Sequence, residues 1–225
     1  MSKIVIASSK DWFEKAEKSA EFDQLDVHWI HNKHDLTIER LEDLQPRYIF
    51  FPHWNWIIPE EIYQPYECIV FHTAPLPYGR GGSPIQNLIL RGFTSSPVCA
   101  LRVTGILDGG PIYDRREVSL DGTIEAIFSR IATCVEDLIV SICRDEPLPE
   151  PQSGDIVEFS RRVPADSALS QDLSRSDLYD RIRMVDGAGY PKAFIQFGDY
   201  RLELSEADFS QGTLSAKVTF HATDD

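Results

Sequence analysis

The sequence predicts an α/β chain: a mostly parallel sheet with helices on both faces, joined to a small α+β appendage. Three observations lead there. Short apolar runs alternate with helical patterns from the first residue. The loops richest in glycine and proline follow strand candidates, where an open parallel sheet forms its ligand crevice. A proline-rich polar stretch, Glu146-Pro-Leu-Pro-Glu-Pro-Gln-Ser-Gly, separates the main body from a C-terminal tail. The expected division is 1–145 for a catalytic domain, 146–157 for a linker and 158–225 for a small subdomain.

The strand candidates are Lys3 to Ala7, Asp26 to Ile30, Tyr48 to Phe51 and Cys68 to Phe71. Between them lie amphipathic stretches read as crossover helices: Trp12 to Phe22, Leu36 to Leu44, and a short one from Pro59 with Glu60 and Glu61 in its first turn. Pro84 opens a further helix through Arg91, ended by Gly92. Val98 to Val103 and Arg116 to Leu120 read as paired strands. Thr123 to Cys143 carries a helical apolar stripe behind Asp121 as the expected cap. The tail offers one helix near Leu178 and strands at Ala193 to Gln196 and Arg201 to Leu204.

Composition narrows the function. The 225 residues, 42% of them hydrophobic, suffice for a full core. Against 22 Lys and Arg stand 36 Asp and Glu, giving a formal charge of −14 whose field repels nucleic acid and anionic membranes. No apolar run approaches the roughly 20 residues needed to span a bilayer, and the start lacks a signal-peptide pattern, so the cytoplasm is expected. The four cysteines form no C-x-x-C pair, and no metal site is expected. His28, His31 and His34 lie across a strand end and a loop, which suits a satisfied or exposed set better than ligands. After the first strand, Ser8-Ser9-Lys10-Asp11 has no glycine, whereas a dinucleotide pyrophosphate needs a glycine turn there.

Three later loops carry the chemistry. In Phe71-His72-Thr73-Ala74-Pro75-Leu76-Pro77-Tyr78-Gly79-Arg80-Gly81-Gly82-Ser83-Pro84, a histidine at a strand end is followed by a stiffened turn and a glycine run. In Thr104-Gly105-Ile106-Leu107-Asp108-Gly109-Gly110-Pro111-Ile112, Asp108 supplies a carboxylate that orients an imidazole and accepts a proton. In Phe51-Pro52-His53-Trp54-Asn55-Trp56-Ile57-Ile58-Pro59, two tryptophans flank an amide, giving flat apolar walls for a planar heterocycle.

Together these loops resemble the formyltransferase family that uses N10-formyltetrahydrofolate, whose loop reads Asn-x-His, then Ser-Leu-Leu-Pro and Tyr-Arg-Gly-x-x-Pro, with Asp-x-Gly-x-Ile further on. The matching positions are His72, Pro77, Arg80, Gly81, Pro84, Asp108, Gly110 and Ile112. The likeness spans residues 1 to 145 and continues weakly through Asp180 to Phe194. The string from Phe71 to Ile89 is most similar to sugar N-formyltransferases of the pseudaminic acid pathway. The family asparagine, which helps hold the formyl oxygen as it becomes an oxyanion, is replaced by Val70; His53 and Asn55 are candidates to supply that donor.

The resemblance implies a Rossmann-like formyltransferase fold and N10-formyltetrahydrofolate as cofactor. It implies His72 and Asp108 as catalytic residues, and Trp54, Asn55, Trp56, Ile57, Ile58, Thr104 and Asp108 at the folate. His53, Tyr78, Gly79, Arg80, Gly81, Gly82, Arg183 and Tyr190 are expected at the substrate. The expected acceptor is the amine of a nucleotide-linked 4-amino-deoxy sugar, with Arg80 and Arg183 as cations for its nucleotide. An amino acid or carrier-bound aminoacyl group stays open, as does a non-catalytic folate-binding protein. A homodimer through the tail strands is also expected.

Overall fold

The computed structural model describes residues 3–222. Its centre is a six-stranded sheet in the order β2-β1-β3-β4-β6-β7, with β1 Lys3–Ser8, β2 Asp26–Ile30, β3 Tyr48–His53, β4 Cys68–Thr73, β6 Ser95–Arg102 and β7 Ile112–Ser119. β1 pairs in parallel with β2 and β3, and β3 with β4, while β6 and β7 run antiparallel. The sheet is therefore mixed and mostly parallel, with helices on both faces.

Each strand alternates its side chains between two cores. Ile4, Ile6, Tyr48, Phe50 and Ile69 face α4 (Ile124–Asp145), whose Ile127, Ile131, Val135, Leu138 and Ile142 close one core. Leu88 and Ile89 of α3 (Pro84–Ile89), the helix that Pro84 opens, join the same core. Val5, Ala7, Ile49, Phe51 and Cys68 face the other way, under α1 (Ile38–Leu44) and α2 (Glu60–Tyr63). α4 is capped by Thr123, whose hydroxyl accepts from the Ala126 N–H, and not by Asp121 as expected. Asp121 instead accepts from Ser119 Oγ.

Residues 12 to 22 do not form the expected helix. They run in turns, with a short 3-10 segment at Phe22–Gln24. Tertiary contacts override the local periodicity there: Glu136 on α4 accepts from the Ser19 N–H at 2.6 Å, and the Lys18 ammonium donates to the carbonyls of Phe13 and Ala16. Two further pairings were not expected. β5 (Tyr78–Gly81), inside the glycine-rich loop, pairs in parallel with β8 (Val157–Phe159). The tail forms a three-stranded antiparallel sheet of β9 (Ala193–Phe197), β10 (Tyr200–Ser210) and β11 (Thr213–Ala222) beside α5 (Arg175–Arg183), and β11 lies outside the predicted strands. The proline-rich stretch is pinned at Glu150, which exchanges two backbone hydrogen bonds with Ile112. Among the described residues no helix is long and apolar enough to cross a membrane.

Glu136 is buried, and its contact with Ser19 ties the segment after β1 to α4 beside the apolar contacts of Trp12 with Phe128. Glu136→Ala is expected to lower the unfolding free energy by about 1–3 kcal/mol through the orphaned amide. Urea denaturation measures it, and an unchanged midpoint would assign that segment's placement to its apolar contacts alone.

Candidate active site

The site forms beside β4: the loops after β3 and β4 leave one edge of the sheet, and the loop after β6, which starts at the opposite edge because β6 runs antiparallel to β4, reaches back to bring Asp108 to His72. His72 is the fifth residue of β4 and is buried. Its Nε2 lies 2.7 Å from the Gly79 carbonyl oxygen, which can only accept, so this nitrogen carries a proton. The other nitrogen, Nδ1, is 3.6 Å from Asp108 Oδ2. That is an ion-pair separation and too long for a hydrogen bond. The nitrogen free to exchange a proton is thus the one that faces the carboxylate.

Asp108 is fixed from three directions. Its backbone is left-handed, with φ +50°, a conformation aspartate tolerates better than bulky residues. Its Oδ2 accepts from the Gly81 N–H at 2.9 Å. Gln152, from the proline-rich stretch, donates to the carbonyls of Asp108 and Gly110 at 2.7 and 2.8 Å and accepts from the Arg80 guanidinium. Among the described residues both side-chain contacts of Asp108 fall on Oδ2, and none on Oδ1.

Two motif glycines have steric reasons. A Cβ on Gly110 would stand 1.7 Å from the Arg102 carbonyl oxygen, and one on Gly81 would stand 2.5 Å from that of Phe159. Gly81 also has φ +100°, a conformation that disfavours any side chain.

These residues line a cavity of about 1040 Å³ that straddles the sheet edge. Val70 and His72 lie on one face of β4, Phe71 and Thr73 on the other. On the Val70 side Trp54 and Ile58 pack in one cluster with Val70, and Asn55, Trp56, Ile57 and Thr104 also line the cavity. Trp54 and Trp56 meet edge to face at 4.9 Å, and Ile57, Ile106 and Leu107 are exposed at the rim. Exposed large apolar side chains beside a cavity mark a surface that a flat apolar ligand would cover. On the Phe71 side stand Trp12, His53, Phe128 and Tyr190. His53 reaches this side through a register slip: Ile6 pairs with Phe50 but Ser8 with His53, so one extra residue on β3 turns its ring toward Trp12.

Five of the expected substrate contacts lie outside the lining. Tyr78 packs on Phe93 and Phe159. Gly79 is turned to His72 through its carbonyl. Gly82 donates its N–H to the Phe159 carbonyl, and the Arg80 guanidinium is committed to Gln152. Arg183 is buried: it donates to the carbonyls of Leu120 and Gly122 and pairs with Asp180 at 2.6 Å, which makes it a structural tie of α5. His53, Gly81 and Tyr190 do line the cavity. Sequence reasoning misses Trp12, Phe128, Arg161 and Gln152. Trp12 and Phe128 read as apolar positions of helical stripes, and the other two sit in loops without a periodic signal. His28 faces Asp26 and His31 stacks on Trp29; among the described residues no group of three or more His, Cys, Asp or Glu is placed to hold a metal.

Burial, with the nearby Lys10 and Arg161 charges, holds the His53 imidazole below the ordinary 6.5, against an opposing hydrogen bond with Asn55. Below about pH 6.5 the unfolded chain therefore takes up a proton that the native site resists, and stability falls as pH drops through that region. Denaturant titrations from pH 7.5 to 5 are expected to show a smaller loss for His53→Gln than for the unmodified chain. Parallel curves would remove this imidazole as a source of acid sensitivity.

A family model described as "Methionyl-tRNA formyltransferase, C-terminal domain" matches residues 164–221. A methionyl-tRNA formyltransferase of Ehrlichia chaffeensis is 26% identical over 183 residues, covering 79% of this chain and 59% of the relative. The chain thus spans about three fifths of that protein's length. The solved structure of "Methionyl-tRNA formyltransferase from Clostridium thermocellum" is 40% identical with a TM-score of 0.91, covering 99% of this chain and 100% of the other. A 4-N formyltransferase from Francisella tularensis superposes with a TM-score of 0.67 at 13% identity, covering 98% and 96%, a likeness of fold alone.

Proposed function

Because this chain belongs to the formyltransferase family, we propose that it transfers the formyl group of N10-formyltetrahydrofolate to the primary amine of an aminoacyl group. The observation that carries the reading is the approach of His72 Nδ1 to Asp108 Oδ2, 3.6 Å, at the wall of a cavity large enough for two ligands. The aminoacyl acceptor is supported by the names of the relatives at 40% and 26% identity. This revises the expected pseudaminic-type sugar, since those names point to an aminoacyl group and the Francisella 4-N formyltransferase shares only the fold. The nucleotide-linked amino sugar is kept as a second reading on one observation: a chain of charge −14 opposes a polyanionic tRNA far more than a single diphosphate.

The folate would lie against Trp54, Trp56 and Ile58, whose flat apolar surfaces fit a pterin, with Ile106 and Leu107 covering its outer part. When bound it supplies an activated formyl carbon. His72 holds one proton toward the Gly79 carbonyl, and its second nitrogen, protonated beside the Asp108 carboxylate, would donate to the formyl oxygen as charge develops there. Asp108 Oδ1 would take the proton that the acceptor nitrogen loses as its bond to the formyl carbon forms, and would return it to the folate nitrogen whose bond to that carbon breaks, so that the tetrahydrofolate nitrogen leaves neutral. Val70, Leu76, Cys99 and Leu101 form an apolar patch under the imidazole, which limits water there. Val70 has no donor for the developing oxyanion, so that stabilisation falls to His72.

Tetrahydrofolate release should be measured with methionyl-tRNA, an aminoacyl-phosphopantetheine carrier, free methionine, and a nucleotide-linked 4-amino-4,6-dideoxy sugar. An aminoacyl acceptor is expected to turn over; turnover with the amino sugar alone would reject the aminoacyl reading in favour of the second. In the same assay His72→Ala and Asp108→Asn are expected to stay folded and lose about 100-fold or more in kcat. Rates near the unmodified level in both would remove the pair from the chemistry.

A further inference from the structure

The Phe71 side of the cavity carries an arrangement that formyl transfer itself does not use. Lys10, from the turn after β1, and Arg161, two residues past β8, both line the cavity and both stand near enough to His53 for their charges to act on it. Neither makes a salt bridge or a side-chain hydrogen bond among the described residues. Asp11, beside Lys10, is taken by Lys15 at 2.5 Å. In a chain with 36 acidic and 22 basic residues, two cations on one cavity wall that no carboxylate holds within salt-bridge distance among the described residues are unusual, although the Lys10 charge is felt by its neighbour Asp11. Gly189 lies alongside: a Cβ there would be 3.8 Å from Lys10 Nζ.

A second observation points the same way. Trp12 Nε1 is buried and has no hydrogen-bond partner among the described residues, although Trp12 lines the same wall. A buried donor left open is the exception in folded proteins and calls for an acceptor. Around it Trp12, Phe128 and Tyr190 form a run of ring contacts at 5.8 and 6.3 Å, a surface for a planar or apolar group.

We infer that this lobe is a phosphate site, in which Lys10 and Arg161 hold a phosphate or diphosphate of the acceptor while the aromatic run takes the group attached to it. The assignment deepens the proposed function and rests on it: it places the acceptor opposite the folate wall and requires that its amine be borne on a phosphorylated carrier or nucleotide. The same two cations could instead serve the carboxylates of a folate glutamate tail, and the test separates the two.

Pyrophosphate titrated calorimetrically into the full chain is expected to bind, with affinity falling as salt is raised. Lys10→Ala and Arg161→Ala are each expected to weaken it by about tenfold or more, as loss of one charge-assisted contact does. Lys217→Ala, on the tail hairpin, is expected to leave it unchanged. Tetrahydrofolate with one or three glutamates should bind the unmodified chain and both cavity variants alike. No pyrophosphate binding, or equal weakening by Lys217→Ala, overturns the site; so does loss of the triglutamate form's affinity in the two variants with pyrophosphate binding intact. Because pyrophosphate binding needs no turnover, the site can fail while formyl transfer stands, and the reverse.

Discussion

One carboxylate oxygen ties the site together. Asp108 Oδ2 accepts from the Gly81 N–H and faces His72 Nδ1, so the loop between β6 and β7 and the loop after β4 are held as one unit. Removing that oxygen would take one tie from the glycine turn and leave the imidazole held by the Gly79 carbonyl without its carboxylate partner. Gln152 reinforces the tie from a third segment by binding the carbonyls on either side of Gly109 and the guanidinium of Arg80. Burial makes these contacts count: the side chains of His72 and Asp108 are only 9% and 14% exposed, and solvent screens their interaction weakly.

The same tie explains the sheet topology beneath it. A parallel run β1-β3-β4 delivers strand ends to one edge; β6 runs antiparallel to β4, with Arg102 opposite Ile69, so the β6–β7 loop starts at the other edge and extends back along the Val70–His72 face to place Asp108. Gly110 is the hinge of the return, because its Cα lies against the Arg102 carbonyl where any side chain would collide. The motif spacing that the sequence shows as Asp-Gly-Gly-Pro is therefore a backbone packing requirement next to a chemical one.

The features legible in the sequence are the local ones. β1, β3 and β4 are short, largely buried apolar runs, β2 is a half-buried edge strand, and α4 carries a continuous stripe, so periodicity is enough to find them. The His72 and Asp108 pair is legible through residue type and strand-end position. Non-local partners are not. The segment around Trp12 has helical periodicity, but Glu136, more than a hundred residues away, takes its backbone amide. β5 pairs with β8 across the whole of α4, and no feature of Tyr78 to Gly81 announces that partner. Arg183 looks like a cation for a ligand because a sequence does not reveal that two carbonyls wait for it at Leu120 and Gly122. Gln152 lies in a stretch that reads as a boundary, where a polar side chain usually meets water.

Val70 bears most directly on how the proposed chemistry would be divided. The resemblance puts an amide at that position, aimed at the formyl oxygen; here a branched apolar side chain packs against Leu76, Cys99 and Leu101. An apolar neighbour cannot donate, but it lowers the local dielectric, which strengthens any charge contact that remains. The contact that remains is between His72 and Asp108. His53 is not the replacement, because the register slip in β3 carries its ring to the opposite side of the sheet edge, toward Trp12. Asn55 keeps company with His53 through a hydrogen bond. His72 lies two residues along the same face of β4 from Val70, and the proposed reaction asks of that one imidazole what the family divides between two.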